Sequence, residues 1–118
     1  MTLQEIKEIL DAEVINGTKH LDIEIKSAGA SDLMSDALAF GAPEILLLTG
    51  LTNSHSVRTA DFIEAKAIVY VRGKSPDKQS IELAKEKGIP LLLTKLMMYS
   101  ACGLLFKHGL PGPGSRPK

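Results

Sequence analysis

Three apolar runs recur at regular intervals in the middle of the chain. They are Ile45, Leu46, Leu47, Leu48 and Thr49; Ala67, Ile68, Val69, Tyr70 and Val71; and Pro90, Leu91, Leu92, Leu93 and Thr94. None contains a charge, and none alternates polar with apolar. A strand with one wet face would alternate, so these runs predict strands buried on both faces. Each leads into a polar or Gly-containing turn and then a stretch of helical character. Strand, loop and helix repeated in this way predict βαβ units and a parallel sheet. The expected fold class is a single-domain α/β protein with three α/β/α layers. Its sheet should be mainly parallel, with a small mixed or edge-strand region near the N-terminus.

The flanking segments carry local signals. Thr2 and Glu5 form a capping box ahead of a helical stripe of Leu3, Ile6, Ile9 and Leu10. Glu13, Val14 and Ile15 read as a strand ended by the turn pair Asn16 and Gly17. Residues 20–27 alternate, with Leu21, Ile23 and Ile25 against Asp22, Glu24 and Lys26, which predicts a half-exposed strand. Ala28, Gly29, Ala30 and Ser31 read as a small-residue turn. Ser31 or Asp32 is then expected to cap a helix to about Phe40 that buries Leu33, Met34, Ala37 and Leu38, with Gly41, Ala42 and Pro43 ending it. A second helix should run from about His55 to Ala65. Ser75 is expected to cap the next, with Pro76 in its first position, Asp77 on the favourable end of the dipole, and Lys78 within reach of Glu82. Gly88 stops that helix and Ile89 makes the contact that follows such a cap. A last helix ends near His108. Residues 1–108 thus form the domain, and residues 109–118, with three of the six prolines and three of the ten glycines, are expected to be a mobile tail.

Length supports one core and not two: the chain has 118 residues. A lone cysteine, Cys102, allows no internal disulfide and suggests a reducing, cytoplasmic setting. It lies on an apolar helical stripe, which predicts a buried, inert thiol. No run is long enough to span a membrane, and no basic-then-apolar leader opens the chain. The formal charge is zero, but residues 1–65 carry four Lys/Arg against eleven Asp/Glu, and residues 66–118 carry ten against three. Such asymmetry fits two solvated faces, or a basic half that attracts an anion or the acidic half of a second copy. Nucleic acid is not expected as a partner, since no dense Lys/Arg cluster exists and only three Phe and two Tyr are available for stacking.

In a parallel α/β sheet, ligands bind beyond the carboxyl ends of the strands, where helix N-termini favour anions. Three segments fall on that edge. They supply Thr49, Gly50, Thr52, Asn53, Ser54 and His55; then Arg72, Gly73 and Lys74; then Thr94 and Lys95. Hydroxyls, an imidazole, glycine backbone and three cations suit a phosphate or carboxylate. They also suit the polar loops that any α/β protein carries on this edge. The strong phosphate signatures are absent: Arg72, Gly73, Lys74 and Ser75 look like the end of a P-loop but lack its upstream glycine. His55 reads as a general base or as an exposed first-turn residue. Asp32 and Asp36 share a helix face, where capping explains them as well as a metal would. No cofactor is expected.

Several of these residues resemble the DRTGG domain family. The resemblance is carried by Ser31, Asp32, Leu33, Met34, Ser35 and Asp36, by Leu48 and Thr49, by Thr52 to His55, and by residues 67–77 and 84–94. It spans nearly the whole chain except the tail. Where the family has T-G-G, this sequence has Val71, Arg72 and Gly73, and other residues replace D-R in the loop around Asn53 to His55. The resemblance implies a three-layer domain similar to the N-terminal domains of HPr kinase and of some Mur ligases. It implies a regulatory, dimer-forming module rather than a catalytic one. The expectation is therefore a non-catalytic homodimer that senses a small anionic metabolite, nucleotide or phosphorylated, or docks on a partner enzyme. The alternative is a phosphoryl- or acyl-transfer enzyme using His55 with Arg72, Lys74 or Lys95 as a cationic clamp.

Overall fold

The three apolar runs lie side by side and point the same way. The computed structural model describes residues 1–40, 42 and 44–114 of the 118. Five strands form one sheet: β1 (Glu13–Asn16), β2 (Ser27–Ala30), β3 (Ile45–Thr49), β4 (Ala67–Tyr70) and β5 (Leu91–Leu93). Their order is β1-β5-β4-β3-β2. Strands β2 to β5 are parallel, and β1 joins β5 antiparallel as the mixed edge near the N-terminus. Five α-helices flank the sheet: α1 (Leu3–Leu10), α2 (Met34–Ala37), α3 (Ser54–Phe62), α4 (Lys78–Lys87) and α5 (Met98–Lys107). This is the expected α/β/α class.

Alternate residues of each central strand enter opposite cores. Leu46, Leu48, Ala67, Val69 and Leu92 face α1 and α5, meeting Leu3, Ile6, Leu10, Ala101 and Leu105. Ile45, Leu47, Ile68, Tyr70 and Leu91 face α2, α3 and α4, meeting Met34, Ala37, Val57, Ala60 and Ala84. Two apolar faces per strand explain why the runs show no polar alternation.

The chain between β1 and β3 departs from its sequence pattern. Residues 20–26 are not part of the sheet; strand begins only at Ser27. A 3-10 turn spans Thr18–His20, and this stretch instead reaches α1, with Leu3 N–H donating to Ile23 O at 3.0 Å and a single bridge between Thr2 and Glu24. Alternation there comes from lying against α1, with Ile25 buried in the core. The expected turn at Ala28 to Ser31 is the edge strand β2, because small residues let it lie under Phe40: a Cβ on Gly29 would sit 2.4 Å from that ring. The helix after it shrinks to four residues, and Leu33 and Leu38 are 58% and 47% exposed instead of buried. Ser31 Oγ turns the chain locally by accepting Leu33 N–H at 3.0 Å. Gly41 and Pro43, expected to end that helix, lie outside the described residues.

Helix α3 ends at Phe62, short of Ala65. Helix α4 begins two residues later than Ser75 predicts. Asp77 is its N-cap, accepting Ser80 N–H at 2.8 Å, and Pro76 is buried ahead of it. These contacts hold the Asp77 carboxyl below its ordinary value, the Ser80 backbone bond foremost. Lys78 and Glu82 form no ion pair among the described residues. Beyond α5, Leu110 is buried, and Pro111 O accepts Ala28 N–H at 3.0 Å, so the chain here lies on the β2 edge. Residues 115–118 of the expected mobile tail lie outside the described residues.

Candidate functional site

A ligand crevice opens in an α/β sheet where the helices after two neighbouring strands leave to opposite faces. Here α4 follows β4 onto one face and α5 follows β5 onto the other. The switch point therefore lies between β4 and β5. Their loops carry Arg72, Gly73, Lys74, Thr94 and Lys95, which come together although some twenty residues separate them.

Backbone bonds extend the β4–β5 pairing into these loops. Thr94 N–H donates to Tyr70 O at 2.9 Å, Gly73 N–H to Thr94 O at 2.9 Å, and Arg72 N–H to Leu96 O at 2.8 Å. Arg72 (φ 66) and Gly73 (φ 68) are both left-handed, the conformation of a tight primed turn. That conformation is uncommon for arginine. A Cβ on Gly73 would lie 3.9 Å from Lys95 Cα, which measures how closely the two loops approach. The Thr94 hydroxyl faces inward: it donates to Leu10 O at 2.8 Å and accepts Leu96 N–H at 3.3 Å. Thr94 thus locks the β5 loop to the end of α1.

The β3 loop is tied to the same rim. Arg72 Nη2 donates to Gly50 O at 3.3 Å, and a Cβ on Gly50 would fall 2.5 Å from that nitrogen. A side chain at Gly50 would have to push this guanidinium aside. The Gly50 N–H donates to Asp32 Oδ1 at 2.5 Å, and Thr49 Oγ1 lies 3.4 Å from the same oxygen. Thr52 O accepts Asp77 N–H and Ser80 Oγ, each at 2.9 Å, joining this loop to the start of α4. Asn53 caps α3 by accepting His55 N–H at 3.0 Å. Ser56 Oγ donates to Asn53 O at 2.8 Å, so its 2.8 Å contact with Tyr70 takes the tyrosine hydroxyl as donor. Burial pushes the Tyr70 pKa up to about 12, against a smaller opposing effect of Ser56.

The rim has unspent positive charge. Arg72, Lys74 and Lys95 are all exposed. Among the described residues the ion pairs are Met1 with Glu24, Lys26 with Glu44 and Lys87 with Asp61, none of them on the rim. A cavity of about 340 Å³ adjoins Lys95, walled by Ile9, Leu10, Asp11, Leu96 and Leu104. An apolar groove of about 360 Å³ runs elsewhere, between β2 and α5, lined by Tyr99, Cys102, Phe106 and Leu110 among others. Cys102 is half-buried there, and burial raises its pKa.

His55 is exposed at the second residue of α3, and its imidazole has no hydrogen-bond partner among the described residues. Ser54, before it, borders a different hollow, with Arg58 and Glu82. Among the described residues no three His, Cys, Asp or Glu side chains gather as metal ligands. No helix among them is long and apolar enough to cross a membrane. The residue that sequence reasoning misplaced is Asp32. Its pattern reads as a helix cap, whereas its carboxylate reaches across to the β3 loop; only tertiary contact reveals this.

The fold has a counterpart among solved structures. The chain superposes on the crystal structure of the CBS and DRTGG domains of the regulatory region of a Clostridium perfringens pyrophosphatase, complexed with its activator, diadenosine tetraphosphate. The TM-score is 0.75 over 93% of this chain and 47% of that one. The fold is DRTGG-like. Sequence identity is 21%, so the likeness is one of fold, and this chain spans about half the length of its neighbour. No family model matches the chain, and no curated protein does.

Proposed function

We propose that this domain is a regulatory ligand-binding module of the DRTGG kind that takes a small anionic metabolite, a nucleotide or phosphorylated compound, on the β3–β4–β5 rim. The observation that carries this reading is the exposed trio Arg72, Lys74 and Lys95 at the β4/β5 switch point, with no carboxylate partner among the described residues. Oxygen-rich anions neutralise such charge, and Arg72 adds a planar fork suited to phosphate. The neighbouring regulatory region was captured with a nucleotide activator, which supports the same ligand class. Gly50, held by Arg72, would be the part of the β3 loop that meets the ligand, with Thr52, Asn53 and His55 following it along the chain; Thr49 lies buried beneath and Ser54 borders the hollow beside Arg58. A transfer reaction would need a positioned base, and no hydrogen bond among the described residues orients the His55 imidazole.

The module acts as a homodimer in this reading. Met97, Tyr99 and Phe106 are large apolar side chains exposed on or beside α5, where a second copy would cover them. Docking on a partner enzyme would use the same surface.

The test is a thermal-shift screen over nucleotides and phosphorylated metabolites, followed by calorimetry. A ligand at a hundred times its Kd adds about 2.7 kcal/mol of stability. The triple variant Arg72→Ala, Lys74→Ala, Lys95→Ala should lose the response. If no compound shifts the midpoint, or the triple variant responds equally, the reading fails. Light scattering that returns a monomer at micromolar concentration removes the dimer from it.

A further inference from the structure

We infer that the Asp32 carboxylate is a resident anion in the ligand seat, and that an incoming phosphate binds by taking its place on the Gly50 amide. This rests on the rim reading above and deepens it by naming the contact that regulates occupancy.

The two ends of one peptide segment are held by opposite charges. Asp32 Oδ1 accepts Gly50 N–H at 2.5 Å and lies 3.4 Å from the Thr49 hydroxyl. Arg72 donates to Gly50 O at 3.3 Å. A carboxylate oxygen that takes a loop amide and a neighbouring hydroxyl makes contacts that a phosphate oxygen makes in an anion-binding turn, and Arg72 holds the carbonyl of the same glycine. Arg72 N–H is spent on Leu96 O and Gly73 N–H on Thr94 O, while Leu96 N–H and Leu51 N–H go to the hydroxyls of Thr94 and Thr49. Gly50 N–H is different, because its acceptor is a carboxylate.

That side chain is free to leave. Asp32 is exposed and precedes a helix of only four residues, and it has no ion pair among the described residues. Moving it breaks no strand pairing. Thr49 and Gly50 are buried, so when Asp32 swings out their hydroxyl and amide lose an acceptor that water does not already replace. A singly charged acceptor on a short tether then competes with a multiply charged one in solution. The seat selects anions of charge greater than one, since a monoanion gains little over the carboxylate it displaces.

The experiment titrates inorganic tripolyphosphate, by calorimetry at fixed salt, into wild type, Asp32→Asn and Asp32→Ala. Asn keeps an acceptor on the amide and removes the charge; Ala removes both. Competition for the seat predicts affinities in the order Ala, then Asn, then wild type, with Ala tighter than wild type by about tenfold or more. Equal gains for Asn and Ala would leave simple repulsion as the cause and overturn the exchange. Wild-type binding with no gain in either variant overturns it while the rim reading stands. No binding by any of the three overturns both. Should Asp32→Ala fold poorly, the Gly50 amide resonance of wild type decides: it must move on titration, and an unmoved Gly50 signal in a protein that binds would sink the proposal.

Discussion

Replacing Tyr70 with Phe isolates one buried hydroxyl in the link that sets the start of α3. Tyr70 is fully buried, and its hydroxyl lies 2.8 Å from Ser56 Oγ, which itself donates to Asn53 O. Near neutral pH the variant loses one buried hydrogen bond, about 1 kcal/mol. With about 2.1 cal/mol/K of unfolding entropy per residue, a chain of 118 residues should melt about 4 °C lower. The alkaline limb reverses the order. The free phenol titrates near 10, and burial pushes the folded group up to about 12. Below pH 10 both states are protonated and the contribution is whole. Between pH 10 and 12 the unfolded state releases its proton while the folded state keeps it, so wild-type stability falls by about 1.4 kcal/mol per unit. The total loss approaches about 2.7 kcal/mol, and Tyr70→Phe escapes it. Urea titrations of both proteins at pH 8, 10, 11 and 11.5 should therefore start with wild type ahead and cross near pH 11. A gap that stays constant across that series would refute the reasoning.

Other positions give sharp outcomes. Thr94→Val removes the hydroxyl that joins Leu10 O to Leu96 N–H and should cost about 1–3 kcal/mol in urea unfolding, because a buried acceptor and a donor both lose their partner. Gly88→Ala places a side chain at φ 71 with open space around it, and should cost about 1 kcal/mol. Gly17→Ala, at φ 92 with Pro90 Cα 2.9 Å from the new carbon, should cost clearly more; equal losses at the two sites would mean that the contact is absorbed without strain. Leu110→Ala should cost about 2–4 kcal/mol if the chain beyond α5 belongs to the core, and a variant that melts like wild type would return that segment to a loose tail.

The central sheet was legible because its strands are apolar on both faces, a pattern that survives without knowledge of partners. Strand order and the β4/β5 switch were not legible in this way: the switch appears only because α5 joins α1 on the face opposite α2, α3 and α4. What escaped was decided by contact between distant segments. The alternation of residues 20–27 has the right period for a strand, but its apolar residues answer to α1, and the sheet edge is instead taken by Ser27, Ala28, Gly29 and Ala30. No propensity favours strand in so small-residue a run; the space under Phe40 does. Ser75 and Pro76 make a good helix start in isolation, yet Asp77 wins because its N–H is also held by Thr52 O. Hydrogen bonds of Arg72 to Gly50 and of Gly73 to Thr94 bring the loops after β3, β4 and β5 together, while Asp32 could not be found from any local spacing.

The charge division along the sequence has a different meaning in space. The basic half supplies β4, β5, α4 and α5, and the acidic half supplies α1, β1, β2, α2, β3 and α3. Sheet order places β4 and β5 between β1 on one side and β3 on the other, and α1 shares a core with α5. Acidic and basic segments are therefore interleaved in the sheet and in the two cores. What remains concentrated is local: three cations on the loops after β4 and β5, drawn together by strand pairing. The proposed attraction for a small anion rests on that convergence, whereas the proposed self-association would draw on the apolar side chains of α5, whose contribution salt does not screen.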